Sequence, residues 1–139
     1  MENFINEEIY RFSYEGIKGV STALLKKFGK IYKKNQVIIK EDEVSDDIYL
    51  VYNGSCYVVK KVNEKYKIMN VIYAGEIFGE MAVFDEKLRS ATIAAKEDRT
   101  ICLKFSKDEF IEIYRMHPRW MDKIIQEMSF RIIKMIKKL

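Results

Sequence analysis

The apolar positions of the chain change their period twice. From Phe4 to Phe28, the residues Ile5, Ile9, Phe12, Ile17, Val20, Leu24, Leu25 and Phe28 recur at three- and four-residue steps, interrupted by Gly16 and Gly19. That spacing predicts short helices joined by a bend over residues 1–30. From Ile31 the pattern becomes short runs of Val, Ile and Tyr, separated by turn residues at Asn35, 42–47, Asn53-Gly54, Asn63-Glu64 and Gly75. This rhythm predicts an all-β segment ending at Phe105. Further strands are expected at Lys67–Tyr73, Ser90–Ala95 and Thr100–Phe105, enough antiparallel elements for a barrel or a double-sheet jelly roll. Tyr49, Tyr57, Tyr66 and Phe84 alternate as core strand residues do. The dipeptide Asn53-Gly54, between IYLVY and SCYVVK, predicts a two-residue hairpin with positive φ at both central positions.

Beyond Phe105 the pattern is helical again. Ser106 and Glu109 form a capping box, and Phe110, Ile111 and Tyr114 supply the apolar face of a helix that stops before Pro118. His117 is expected to cap a second helix, with Pro118 in its first turn, running to the end of the chain. Along it, Met121, Ile125, Met128, Ile132, Met135 and Leu139 form a heptad seam, widened by Trp120, Ile124, Ile133 and Ile136. Two uses of this stripe stand open: packing wholly on the β core, or a homodimer through the C-terminal helix.

Composition narrows the class. A chain of 139 residues suits one domain, and an apolar content of 48% with one proline and six glycines suits an ordinary globular one. No apolar run approaches the ~20 residues needed to span a bilayer. The N-terminus MENFINEEIYRF lacks a secretory pattern, so a cytoplasmic protein without a membrane partner is expected. The net charge of +4 resides in residues 119–139, which hold six Lys or Arg against two acids. Basic residues there complement the helix dipole. Cys56 and Cys102 are isolated and read as buried small hydrophobes or as one disulfide. With His117 the single histidine, no imidazole metal site can be assembled and no cofactor is implied. No nucleophile and base pair is visible, which favours a binding protein over an enzyme.

The stretch with chemical content is GEIFGEMAVFDEKLRSATIAA, from Gly75 to Ala95. Gly79 leads a short run whose free backbone amides, at the start of one helical turn, can hold an anion. Arg89 adds a planar guanidinium that matches two phosphate oxygens, and Ser90 and the Ala91 amide complete a cradle. Glu80 would repel a bare phosphate, so the ligand must also donate a hydrogen bond, as a ribose hydroxyl does. Sugar and phosphate together indicate a nucleotide.

The segment FGEMAVFDEKLRSAT resembles the phosphate-binding cassette of the cyclic nucleotide-binding domain family, shared by catabolite activator-type regulators, protein kinase regulatory subunits and gated channels. The resemblance extends upstream through NQVIIKEDEVSDDIYLVYNGSCYVV and downstream through the closing helices. It implies one domain over residues 1–139, mainly β with flanking helices. Its centre would be an eight-stranded β-roll, a jelly-roll-like double-stranded β-helix, over 31–105, with the cassette at 78–92. N-terminal helices over 1–30 and two C-terminal helices over 106–139 would flank it, with a further helix in the cassette.

The resemblance further implies that Glu80 binds the ribose 2′-hydroxyl and Arg89 the cyclic phosphate, with Ser90 and Ala91 adding contacts. Phe78, Gly79 and the Met81 and Ala82 amides would line the site. Met135 and Ile136 fall where a lid over the base is expected, and cyclic AMP is the default ligand. Asn35, Asp42 and Ser45 stand where many members carry glycine, and Leu88 where many carry proline; Asn and Asp tolerate positive φ. The implied function is a sensor that signals through its last helix. Two alternatives are the sensory half of a catabolite activator-type transcription regulator and a degenerate member that no longer binds nucleotide. Since the sequence stops at Leu139, direct DNA binding by these residues is not expected.

Overall fold

A computed structural model describes residues 22–80, 88–116 and 118–119, and within them the chain is mainly β. Helix α1 (Thr22–Phe28) leads into β1 (Gly29–Tyr32), β2 (Val37–Ile39), β3 (Asp47–Asn53) and β4 (Ser55–Val62). Then come β5 (Lys65–Tyr73), β6 (Ile77–Phe78), β7 (Thr92–Ala95), β8 (Thr100–Ser106) and helix α2 (Lys107–Met116). The strands form two four-stranded antiparallel sheets, ordered β1-β8-β3-β6 and β2-β7-β4-β5. The chain passes repeatedly from one sheet to the other, which is the winding of the expected β-roll.

Strand periodicity places the core. Side chains alternate faces along a strand. Ile48, Leu50 and Tyr52 of β3 and Ile101, Leu103 and Phe105 of β8 therefore share one face, where they bury with Leu25, Phe28 and Ile113 of the helices. Tyr49, Val51 and Cys102 share the opposite face and bury between the sheets with Ile39, Cys56, Ile72, Phe78 and Ile93. Both central strands are thus covered on two sides. Each large apolar side chain buried this way contributes about 1.5–3 kcal/mol before entropy is counted. Phe28 and Phe105 pack with ring centroids 4.7 Å apart, fastening α1 to the sheet.

Several expectations are revised. Strand β1 begins at Gly29 rather than at Ile31, because α1 runs straight into it. Asn53-Gly54 does not close a hairpin. β3 already lies between β8 and β6, so no edge is left for β4, which pairs instead in the other sheet. Only Gly54 of that dipeptide has positive φ, at 84°, and it turns the corner between sheets. The two-residue hairpin is the β4–β5 connection, where Asn63 and Glu64 have φ of 51° and 69° and Val62 faces Lys65. Tyr66 of β5 is 72% exposed rather than in the core, because β5 is an edge strand. Cys56 and Cys102 are both free and buried. The Cys56 sulfur beside it and burial both raise the Cys102 thiol above its ordinary range. Residues 1–21, Phe84, His117 and the C-terminal seam lie outside the described residues.

The capping box forms in both directions. The Ser106 N–H donates to Glu109 Oε1 at 2.9 Å, and the Glu109 N–H donates to Ser106 Oγ at 3.1 Å. The hydrogen bond from the Ser106 backbone holds the Glu109 carboxyl below its ordinary 4.5. These local geometries predict the effects of three substitutions. Ser106→Ala lowers stability by about 1 kcal/mol at neutral pH in urea denaturation. The carboxylate's share is complete above the ordinary value and is lost as pH falls through the lower folded value, so Glu109→Gln flattens the acid limb of the stability curve. Gly54→Ala places a Cβ 2.7 Å from Thr100 Oγ1 and 3.1 Å from Thr100 Cα, at positive φ. It costs ~2–4 kcal/mol in the same assay.

Candidate functional site

The site begins where β6 ends. Phe78 pairs with Tyr49 across β3, and the two rings stack with centroids 4.9 Å apart and planes 3° from parallel. The next residue, Gly79, has φ of 87°, and its carbonyl is presented to Arg89. A Cβ at Gly79 would sit 2.9 Å from Arg89 Nη1, 3.0 Å from the Asp47 carbonyl oxygen and 3.4 Å from Ile39 Cδ1. Both the backbone conformation and the crowding demand glycine here. Glu80 follows directly and is 6% exposed. Its Oε2 is enclosed without a hydrogen-bond donor among the described residues, while the side chain keeps other interactions.

Arg89 forms the facing wall. It lies between exposed Leu88 and exposed Ser90, yet is itself only 2% exposed. Main-chain bonds tie it to the β2–β3 loop in both directions: the Asp42 N–H donates to the Arg89 carbonyl at 2.8 Å, and the Arg89 N–H donates to the Glu43 carbonyl at 3.0 Å. Positive φ at Asp42, 69°, aims the first of these, in agreement with its place at a glycine-like position. The guanidinium donates from Nη1 to the Gly79 carbonyl and from Nη2 to the Asp47 carbonyl, each at 2.6 Å, and from Nε to Ser45 Oγ at 2.8 Å.

These three acceptors are neutral. They satisfy N–H groups without cancelling the charge, and a charge held away from water is costly unless an opposite charge approaches it. The Asp47 carboxylate is directed elsewhere, with Oδ2 3.8 Å from Lys104 Nζ. Burial pushes the Tyr49 hydroxyl up to about 12, with Asp47 adding to the rise and Arg89 opposing it. Burial also raises Tyr32. Both phenols are therefore neutral at physiological pH and pack between the sheets. The local field is that of one guanidinium with a buried carboxylic residue one step beyond its carbonyl partner.

The structure brings Phe78, Gly79, Glu80 and Arg89 into one neighbourhood. Ser90 is exposed and Ala91 half-buried, leading into β7. Met81, Ala82, Met135 and Ile136 lie outside the described residues. Sequence reasoning missed Ser45 and the Asp47 carbonyl. Ser45 sits in the acidic run EDEVSDD, which reads as a turn, and nothing in a linear pattern joins it to a residue 44 positions away.

Residues 30–117 match the model of the cyclic nucleotide-binding domain. The chain belongs to the cyclic nucleotide-binding domain family. The chain is 36% identical over 77 residues to a cGMP-dependent protein kinase of Eimeria tenella, covering 55% of the chain and 7% of the kinase. It is 30% identical over 96 residues to a cAMP-dependent protein kinase regulatory subunit of Schizosaccharomyces pombe, covering 64% of the chain and 22% of the subunit. The chain thus spans less than a quarter of these curated relatives. Among solved structures, the Thermus thermophilus catabolite activator protein superposes with a TM-score of 0.64 at 21% identity, covering 87% of this chain and 57% of that one. A cyclic nucleotide-binding domain from Methylobacillus flagellatus gives 0.60 at 21% identity, covering 99% and 78%. These structural likenesses concern the fold. Among the described residues, no group of His, Cys, Asp or Glu is placed to hold a metal ion, and no helix is long and apolar enough to cross a membrane.

Gly79→Ala is expected to displace the guanidinium and to cost ~2–4 kcal/mol from left-handed strain and crowding together. Urea denaturation measures the cost. A loss below about 0.5 kcal/mol, the level of an inert surface change, would show that the turn relaxes freely.

Proposed function

We propose that this domain binds a cyclic nucleotide between the Phe78–Glu80 turn and Arg89, and relays its presence through the C-terminal helix. The observation that carries this reading is the buried guanidinium whose described hydrogen-bond acceptors are all neutral. An anionic phosphate supplies the missing opposite charge, and charge-assisted bonds of this kind are the strong ones. Glu80 takes the sugar, since a carboxylate accepts from a ribose hydroxyl and so distinguishes a nucleotide from free phosphate. The Gly79 position, closed to any Cβ, lets the Arg89 guanidinium approach the backbone closely. Met81 and Ala82 contribute amides, Ser90 and Ala91 outer contacts, and Met135 and Ile136 an apolar lid over the base.

Cyclic AMP is the ligand proposed first. The named relatives include kinases and regulatory subunits dependent on cyclic GMP and on cyclic AMP, so the base preference is put to direct competition. A second reading, the sensory half of a catabolite activator-type transcription regulator, is favoured by the likeness in fold to the Thermus protein.

Isothermal titration with cyclic AMP, cyclic GMP and a cyclic dinucleotide tests the proposal. One of them is expected to bind the wild-type domain, and Arg89→Lys to weaken it about 100-fold, the scale of losing a charge-assisted fork while keeping a point charge. Arg89→Ala is less informative, because it also strands the Gly79 and Asp47 carbonyls and lowers stability. A thermal melt of each variant separates the two effects. Absence of binding to all three ligands by a folded wild-type domain would sink the reading.

A further inference from the structure

The contact between Ser45 and Arg89 has no part in the site as read from the sequence. Ser45 lies in the loop between β2 and β3 and is half-buried. It is not among the residues with positive φ, so the backbone places no demand for glycine there, unlike at Asn35 and Asp42. What the position supplies is a hydroxyl, and Arg89 Nε donates to it at 2.8 Å.

The loop that carries this hydroxyl is fastened independently of it. Two main-chain bonds join Asp42 and Glu43 to Arg89, and the Glu41 N–H donates to Thr92 Oγ1 at 3.0 Å. Ser45 and the Arg89 backbone are thus held in fixed relation by neighbouring groups, and the hydroxyl meets Nε without having to order its own loop.

A guanidinium offers five N–H donors in one plane. Ser45 engages the Nε hydrogen, and the Gly79 and Asp47 carbonyls engage the two terminal nitrogens, each of which carries a second hydrogen. With Nε occupied, the edge combining Nε and a terminal nitrogen is closed to a bidentate anion. The remaining terminal hydrogens are the ones left for a phosphate. A hydroxyl suits this task because it orients the group without neutralising it. An aspartate in its place would satisfy the charge itself and compete with the ligand.

We propose that Ser45 is a positioning residue: its Oγ fixes the rotation of the Arg89 guanidinium so that the terminal nitrogens, and not Nε, face the bound phosphate. The β2–β3 loop thereby becomes a third wall of the site. This inference rests on the reading of Arg89 as the phosphate ligand.

The test combines titration with the Arg89 Nε–H resonance in ¹⁵N-labelled protein, assigned by its disappearance in Arg89→Lys. In the wild type that resonance should be shielded from solvent exchange. Ser45→Ala should lose the shielding, leave the melting temperature close to wild type and weaken cyclic nucleotide binding about tenfold, the scale of one hydrogen bond to a charged group. Ser45→Thr, which keeps the hydroxyl, should restore affinity to within about twofold, and Ser45→Asp should weaken it more than alanine does. If the wild type binds nucleotide and Ser45→Ala binds equally well, or keeps the resonance equally shielded, the positioning role is overturned while the function stands. If the folded wild type binds no cyclic nucleotide, both fall together.

Discussion

The molecule depends on keeping one guanidinium charged in a place that water barely reaches. Arg89 is held by two main-chain carbonyls and a hydroxyl, drawn from β3, the loop before it and the turn after β6. None of these partners can cancel its charge. Charged groups are expensive to bury, and proteins rarely do so without an opposite charge at hand. This one is held by neutral acceptors among the described residues, and the geometry around it shows how. The Gly79 turn brings a carbonyl close, the loop from Lys40 to Asp47 is stitched to Arg89 by its own backbone, and the Asp47 carboxylate is turned toward Lys104.

The two sheets bring these pieces together. β3 pairs with both β6 and β8, so the Asp47 carbonyl at its start and the Phe78–Gly79 turn at the end of β6 are neighbours by register. Phe78 stacked on Tyr49 pins that register with an aromatic pair. β2 and β7 pair in the opposite sheet, which places the loop carrying Ser45 beside the segment carrying Arg89. The site therefore lies where the sheets exchange strands, and each of its walls is anchored in packed strand rather than in loop alone. Helices α1 and α2 cover the far face of the β1-β8-β3-β6 sheet.

Much of the architecture could be read from local rules. The short runs IYLVY and TICLKF, bounded by turn residues, marked two strands, while the burial of both their faces came only with the packing. Ser106 and Glu109 marked a helix start, because their reciprocal bonds involve only residues three apart. Asn35 and Asp42, which stand at glycine-like positions and tolerate positive φ, do adopt it. Asn53-Gly54 misled for an instructive reason. The dipeptide marks a sharp turn, but whether the next strand returns beside the last or crosses to another sheet depends on which edges are already occupied, and β3 had none free. Tyr66 misled likewise, since alternation identifies a strand without saying that it sits at an edge.

For the site, the residues of GEIFGEMAVFDEKLRSAT carried their own chemistry: a glycine that admits a left-handed turn, a carboxylate beside it, and an arginine ten positions on. Their types and spacing, being local, were legible without a fold. What only the tertiary structure decided is how Arg89 is held, because Ser45 and the Asp47 carbonyl lie more than 40 residues away along the chain. Backbone carbonyls carry no sequence signal at all, and a serine in an acidic turn looks the same whether it faces solvent or a guanidinium. Contacts of that kind come from strand pairing, and pairing is a property of the whole packed sheet rather than of any short stretch within it.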